Sequence, residues 1–189
     1  MAIKTFSTGE ILTASDTNTY LANSGLVYVA KATLATNTTD LVGCFSGTYD
    51  NYRIVLDSLN PNGSSDIYWR MLTGSTPAAT ADYSWFTNGF LDSGVASTSN
   101  ATAQTLGYTG YTQTVGGFVG GTITMDVIGP NLNQRTFAHT QAIGYYGTFG
   151  NRGGGSHYNV VAQYTGIRFL TATAATMSGN VTVYGYRKG

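Results

Sequence analysis

From residue 26 onward, apolar and polar positions alternate in short runs, the period of a β-strand with one buried face. The clearest run is Asn51 to Asp57. Tyr52, Ile54 and Leu56 fall on one face, Arg53 and Asp57 on the other, and Val55 breaks the pattern. Thr122 to Ile128 alternates in the same way, with Ile123, Met125 and Val127 directed inward. Ile67 to Leu72 sets Ile67, Trp69 and Met71 against Tyr68, Arg70 and Leu72. Further strands are predicted over 26–34, 41–46, 83–91, 135–146, 158–164, 167–170 and 181–186.

Turn residues punctuate these runs. Asn60-Pro61-Asn62-Gly63 is a strong turn signal, Pro130 ends a strand, and Met177-Ser178-Gly179-Asn180 reads as a hairpin turn. Residues 77–81, the small polar stretch 92–104 and the glycine-rich stretch 151–156 read as loops. Gly116-Gly117 and Gly120-Gly121 read as bends or bulges around Phe118-Val119. About ten strands at this spacing, with no helical period after residue 25, predict an all-β domain. The fold expected is an antiparallel β-sandwich, jelly-roll-like, with an open barrel as the alternative. No internal repeat is evident, which disfavours propellers and solenoids.

The first 25 residues read differently. An extended arm precedes a short helix, with Thr13 and Asp16 at capping-box spacing and Gly25 at the stop. Such a helix has about ten residues, below the roughly 12–15 that an isolated helix needs. It is expected to form only when packed on the β domain, a sister chain or a larger assembly. The chain therefore divides into an arm with a short helix, residues 1–25, and a β-sandwich domain, residues 26–189.

Charge sharpens this picture. Only 10% of the 189 residues are charged, nine basic and nine acidic, against about 25% in an average protein. The surface must be built from Thr, Ser, Asn, Gly and Tyr. Near-zero net charge offers little protection against association, so the chain is expected to live in a permanent assembly. No basic stripe is present to engage nucleic acid. No window approaches the roughly 18 apolar residues of a membrane span. Met1 to Phe6 lacks the apolar core of a signal peptide, so synthesis in the cytoplasm is expected. Cys44 is the sole cysteine and lies in the apolar run 41–45, which predicts a buried, inert thiol.

Candidate chemistry is sparse. His139 and His157 have no neighbour at metal-ligand spacing. A glycosidase would need two carboxylates about 5–9.5 Å apart. Asp57 and Asp126 sit near strand ends where they could meet, but nothing selects them. No G-x-S-x-G elbow or phosphate loop occurs. The expectation is a non-enzyme, with no catalytic residue, metal ligand or cofactor. The fourteen Tyr and two Trp are more informative. A buried Tyr hydroxyl needs a partner, so some are expected outside. Tyr108 and Tyr111 lie in a Gly/Thr-rich segment expected to reach the surface. Exposed aromatics among Asn, Thr and Ser can stack on sugar rings or form a subunit interface, and Tyr108, Tyr111 and Arg152 are the candidate glycan or receptor contacts.

The N-terminal pattern Phe6-x-x-Gly9-x-Ile11-Leu12-Thr13-Ala14-Ser15-Asp16-x-Asn18-x-Tyr20-Leu21 resembles the start of many tailed-bacteriophage tail-fibre and related virion proteins. Cys44-Phe45-Ser46-x-x-Tyr49-Asp50-Asn51-Tyr52-Arg53-Ile54-Val55 is similar to β domains of virion proteins from marine and freshwater phages. So are Gly129-Pro130-Asn131-Leu132 and the closing stretch 181–188. The resemblance implies a virion structural protein, commonly homotrimeric, on the tail rather than the capsid. The arm would dock on other virion proteins, and Phe6, Ile11, Leu12, Tyr20 and Leu21 are its candidate docking residues. The β domain would project outward and bind the host. No long repetitive shaft is present, which favours a short appendage. A capsid decoration or head-fibre protein, or a baseplate adaptor, is the structural alternative, and a glycan depolymerase the third.

Overall fold

The computed structural model describes residues 7–11, 13, 25–113, 120–145, 148–173 and 175–188. Among these residues there are thirteen strands and no helix. The helix expected ahead of Gly25 falls on residues 14–24, outside the described set, and is not borne out. Every strand pairing is antiparallel.

The larger sheet has eight strands. In spatial order they are β1 (Leu26–Leu34), β13 (Gly179–Tyr186), β3 (Asn51–Leu59), β9 (Gly121–Ile128), β10 (Gln134–Tyr145), β11 (Phe149–Ala162), β6 (Tyr83–Leu91) and β7 (Ala96–Gln104). The smaller sheet runs β2 (Thr38–Leu41), β12 (Gly166–Thr171), β4 (Ser65–Thr73) and β5 (Thr76–Pro77), and β8 (Gly107–Gln113) also pairs with β4.

The alternation seen in the sequence becomes the core. Tyr52, Ile54 and Leu56 of β3, Ile123, Met125 and Val127 of β9, and Ile67, Trp69 and Met71 of β4 are all fully buried, at 0% exposure. They join Val181 and Val183 of β13 and Ile167 and Phe169 of β12 in one cluster drawn from both sheets. Each such side chain contributes about 1.5–3 kcal/mol by leaving water, so the two sheets are held face to face by this layer. Cys44 is buried in the same cluster. Its thiol donates to the Leu41 carbonyl at 3.3 Å. Burial pushes its pKa up to about 12, which makes it a poor nucleophile.

Four expectations need correction. The strand predicted over 41–46 is β2, ending at Leu41, and the apolar residues after it fold under the core as a turn. The Tyr52 hydroxyl pins this turn, accepting from Ser46 N at 2.7 Å and donating to Ser46 O at 2.9 Å. Residues 96–104 form strand β7 rather than a loop, because small polar residues pair readily once β6 offers a template. The stretch 151–156 is the middle of β11. A Cβ on Gly154 would collide with the Phe86 carbonyl of the neighbouring strand, so glycine there reflects close strand approach rather than flexibility. Met177 to Asn180 is a crossing between sheets and not a hairpin, with Met177 N bonded to Thr36 O at 3.0 Å. The predicted bend at Gly116-Gly117 lies outside the described residues.

The sheets divide into two regions. Strands β1-β13-β3-β9 and β2-β12-β4, whose inner side chains share one core cluster, form a frame. Beyond β9 the large sheet continues as an extension, β10-β11-β6-β7. Its inner face carries Thr87, Thr136, Thr140 and Ser156, all buried. Strand β8 covers that face and contacts β10, β11 and β6.

Candidate binding face

The pleat sends alternate residues of the extension outward. On β6 these are Ser84, Phe86, Asn88 and Phe90, while Tyr83, Trp85 and Thr87 point inward. On β10 they are Phe137, His139, Gln141 and Ile143. On β11, between these two strands, the outward positions include Gly153 and Gly155. Two outward positions without side chains create a trough. Its floor is the β11 backbone, and its walls are β10 and β6. Two strand spacings separate the walls, about 10 Å.

Phe86 overhangs this floor, since a Cβ on Gly155 would lie 2.9 Å from its ring. On one side of Phe86 a cavity of about 430 Å³ is lined by Phe86, Asn100, Phe137, Gly155 and His157, among others. On the other a cavity of about 530 Å³ is lined by Phe86, Asn88, Phe90, Thr98, His139, Gln141 and Gly153, among others. Phe137 and His157 close one end, their rings 5.8 Å apart. Phe90, Ile143 and Phe149 border a third cavity at the other end. Phe86, Phe90, Phe137 and Phe149 are 59%, 65%, 47% and 51% exposed. No Asp, Glu, Lys or Arg lines the two main cavities. The trough therefore offers apolar rings, side-chain amides, hydroxyls and imidazoles. Chemically it suits a ligand with apolar faces and neutral hydrogen-bonding edges.

A single register row links this trough to the frame. It runs Tyr28, Tyr184, Arg53, Asp126, His139, Gly155, Phe86 and Asn100, each opposite the next. At its middle Arg53 grips Asp126 with two bonds of 2.8 Å, and the Tyr186 hydroxyl donates to Asp126 at 2.6 Å. These bonds hold the Asp126 carboxyl below the usual carboxylate range, the Arg53 contact being the largest cause. Asp57 does not meet Asp126. It lies four residues along β3 from Arg53, about 13 Å, and accepts from Asn180 at 3.2 Å. That spacing exceeds a glycosidase pair.

The tyrosines expected at the surface are inside. Tyr108 is 3% exposed and Tyr111 0%. The Tyr108 ring packs between Tyr68 at 5.2 Å and Trp85 at 4.9 Å. Its hydroxyl reaches Thr112 Oγ1 at 2.6 Å and Asp66 Oδ1 at 3.5 Å. Burial, then the charge of Asp66, pushes its pKa up to about 12. Arg152 donates to this hydroxyl at 3.2 Å and to Ser97 Oγ at 2.9 Å. Tyr108 and Arg152 come together as a clasp between the sheets. Tyr111 packs against Gly121 and Gly144, where a Cβ would strike its ring. Among the described residues six tyrosines, at 52, 83, 108, 111, 158 and 164, are buried. The outward aromatics are chiefly phenylalanines.

Of the candidate docking residues, Ile11 is 81% exposed. Phe6, Leu12, Tyr20 and Leu21 lie outside the described residues. Among the described residues, no three His, Cys, Asp or Glu side chains gather as a metal site. No described helix is long and apolar enough to cross a membrane. No protein-family model matches the chain, and comparison with curated proteins finds no match.

Proposed function

We propose that this chain is a short tail-fibre protein of a tailed phage, whose β domain binds a neutral glycan on the host surface through the glycine-floored trough. The trough carries the reading. Rings of Phe86 and Phe90 suit stacking on sugar faces, and the amides of Asn88, Asn100 and Gln141 suit sugar hydroxyls. The strand order supports it further. Strands β1-β13-β3-β9 over β2-β12-β4-β8 follow the connectivity of a jelly roll. The trough lies on strands added to that frame, where recognition can vary without disturbing the core. Residues 1–25 dock the chain to its virion neighbours, and several copies act together, so weak sites gain avidity.

Glycan-array binding of the full chain tests the adhesive role. Wild type is expected to bind neutral glycans, and the Phe86→Ala/Phe90→Ala double variant to lose binding at least tenfold with an unchanged melting curve. Equal binding by both, or none by either, overturns it. The second reading, a capsid decoration, head-fibre or baseplate adaptor protein, is favoured by one observation. Phe86, Phe90, Phe137, Ile143 and Phe149 make a large exposed apolar area of the kind that marks protein contacts. Immunogold microscopy of particles with antibody to residues 26–189 separates the tail fibre from the head-borne alternatives: label is expected at the tail, and label over the head selects a decoration or head-fibre protein.

A further inference from the structure

Edge strands expose unpaired backbone donors and acceptors, and proteins blunt them with shortness, charge, proline or bulges. The edges of this molecule follow that rule with one exception. In the small sheet β2 has four residues and β5 two, and the longer edge strand β8 is buried from Gly107 to Tyr111. Edge strand β1 is long, but it carries Lys31 and a register shift between Tyr28 and Ala30. At the opposite end of the large sheet, β7 has nine residues, Ala-Ser-Thr-Ser-Asn-Ala-Thr-Ala-Gln. It contains no charge and no proline. Its pairing with β6 is regular from Ala96 to Ala101, and the register shift comes only after that, toward Gln104. Among the described residues, β6 is the one strand paired with it.

We infer that β7 is a pairing edge, and that its partner is β7 of a second copy, antiparallel about a two-fold axis near Asn100. A strand edge is completed only by another extended strand. A two-fold contact asks one patch to complement itself, and β7 meets that demand. With Asn100 opposite Asn100, Thr98 faces Thr102 and Ser99 faces Ala101. Threonine meets threonine, a pair that stabilises a sheet. No like charges oppose each other, because the strand has none. The outward residues Ala96, Thr98 and Asn100 line the trough, so pairing would set two troughs side by side on one continuous sheet. The inference stands on the edge itself and does not require a glycan in the trough.

A single strand pair buries little area, so the association is weak and concentration-dependent. Sedimentation of the full chain from about 10 μM to about 1 mM is expected to show a mass that rises toward double. Thr98→Lys and Asn100→Lys should each abolish that rise, while Thr182→Lys on β13 leaves it unchanged. Hydrogen exchange of the wild type gives a readout independent of any variant. Amides in β7 should become at least several-fold more protected at the higher concentration, and those of β1 should not. A mass that does not change with concentration, a rise that survives both β7 lysines, or β7 exchange that ignores concentration would each overturn the inference.

Discussion

The frame and the extension share one continuous sheet but are built to opposite specifications. Inside the frame, Ile54, Leu56, Ile123, Met125, Val181 and Val183 pack an apolar layer. Inside the extension, Tyr83, Ala138, Ala142 and Tyr158 carry that layer on, but Thr87, Thr140 and Ser156 interrupt it, and their buried hydroxyls have no hydrogen-bond partner among the described residues. Outside, the order reverses. The frame covers its surface with ion pairs, Arg53–Asp126 at 2.8 Å and Arg168–Asp40 at 2.6 Å. The extension covers its own with Phe86, Phe90 and Phe137. Apolar burial is densest inside the frame, and exposed apolar area is densest outside the extension, on the face proposed for recognition.

The largest test of this division compares two aromatic truncations. Trp69→Ala empties a fully buried frame site and should cost about 3–5 kcal/mol in urea unfolding. Phe86→Ala on the trough should cost about 0.5 kcal/mol or less, yet remove glycan binding. Comparable losses would erase the distinction. Next, Gly154→Ala should push β11 and β6 apart and cost about 1–3 kcal/mol. Hydrogen exchange should place the damage in β6 and β7 and leave β1, β13 and β3 protected. Uniform loosening would mean that the two regions open as one unit.

Smaller effects probe the joins. Tyr108→Phe removes the hydroxyl that Arg152 and Thr112 share, and should cost about 1–2 kcal/mol without changing glycan affinity. A large affinity loss would return Tyr108 to the binding role from which its burial removes it. The smallest effect concerns acid. The Asp126 carboxyl titrates below its unfolded value, so its stabilisation is present above about pH 4 and lost as pH falls through the folded value. Asp126→Asn should therefore cost at most about 1 kcal/mol at pH 7, and the gap to wild type should close on acidification. A gap that persists at the lowest pH would assign the loss to packing.

The frame was legible in the sequence because large apolar residues mark its alternation. β1 and β9 match their predicted runs to within a residue, and so does β6 of the extension. The extension was half legible. In β7 no large side chain signals the pleat, and serine, threonine and asparagine read as loop. In β11 glycine answers to clearance between neighbouring strands, a property of partners distant in the chain. The trough leaves a trace in the sequence: Phe86 and Phe90 share parity with Asn88, opposite Tyr83 and Trp85. Tyr108 misled because its partners come from elsewhere. Asp66 lies 42 residues earlier and Arg152 44 residues later, and no local pattern announces either.

The seating of the two hairpins in the extension sets an order of assembly. Hairpin β10–β11 rests directly on β9, whereas hairpin β6–β7 joins the sheet only through β11. Although β6–β7 comes earlier in the chain, it has no sheet neighbour until β10–β11 is in place. Excising residues 83–104 should thus leave a sheet that ends cleanly at β11, while excising β10 and β11 strands the earlier hairpin.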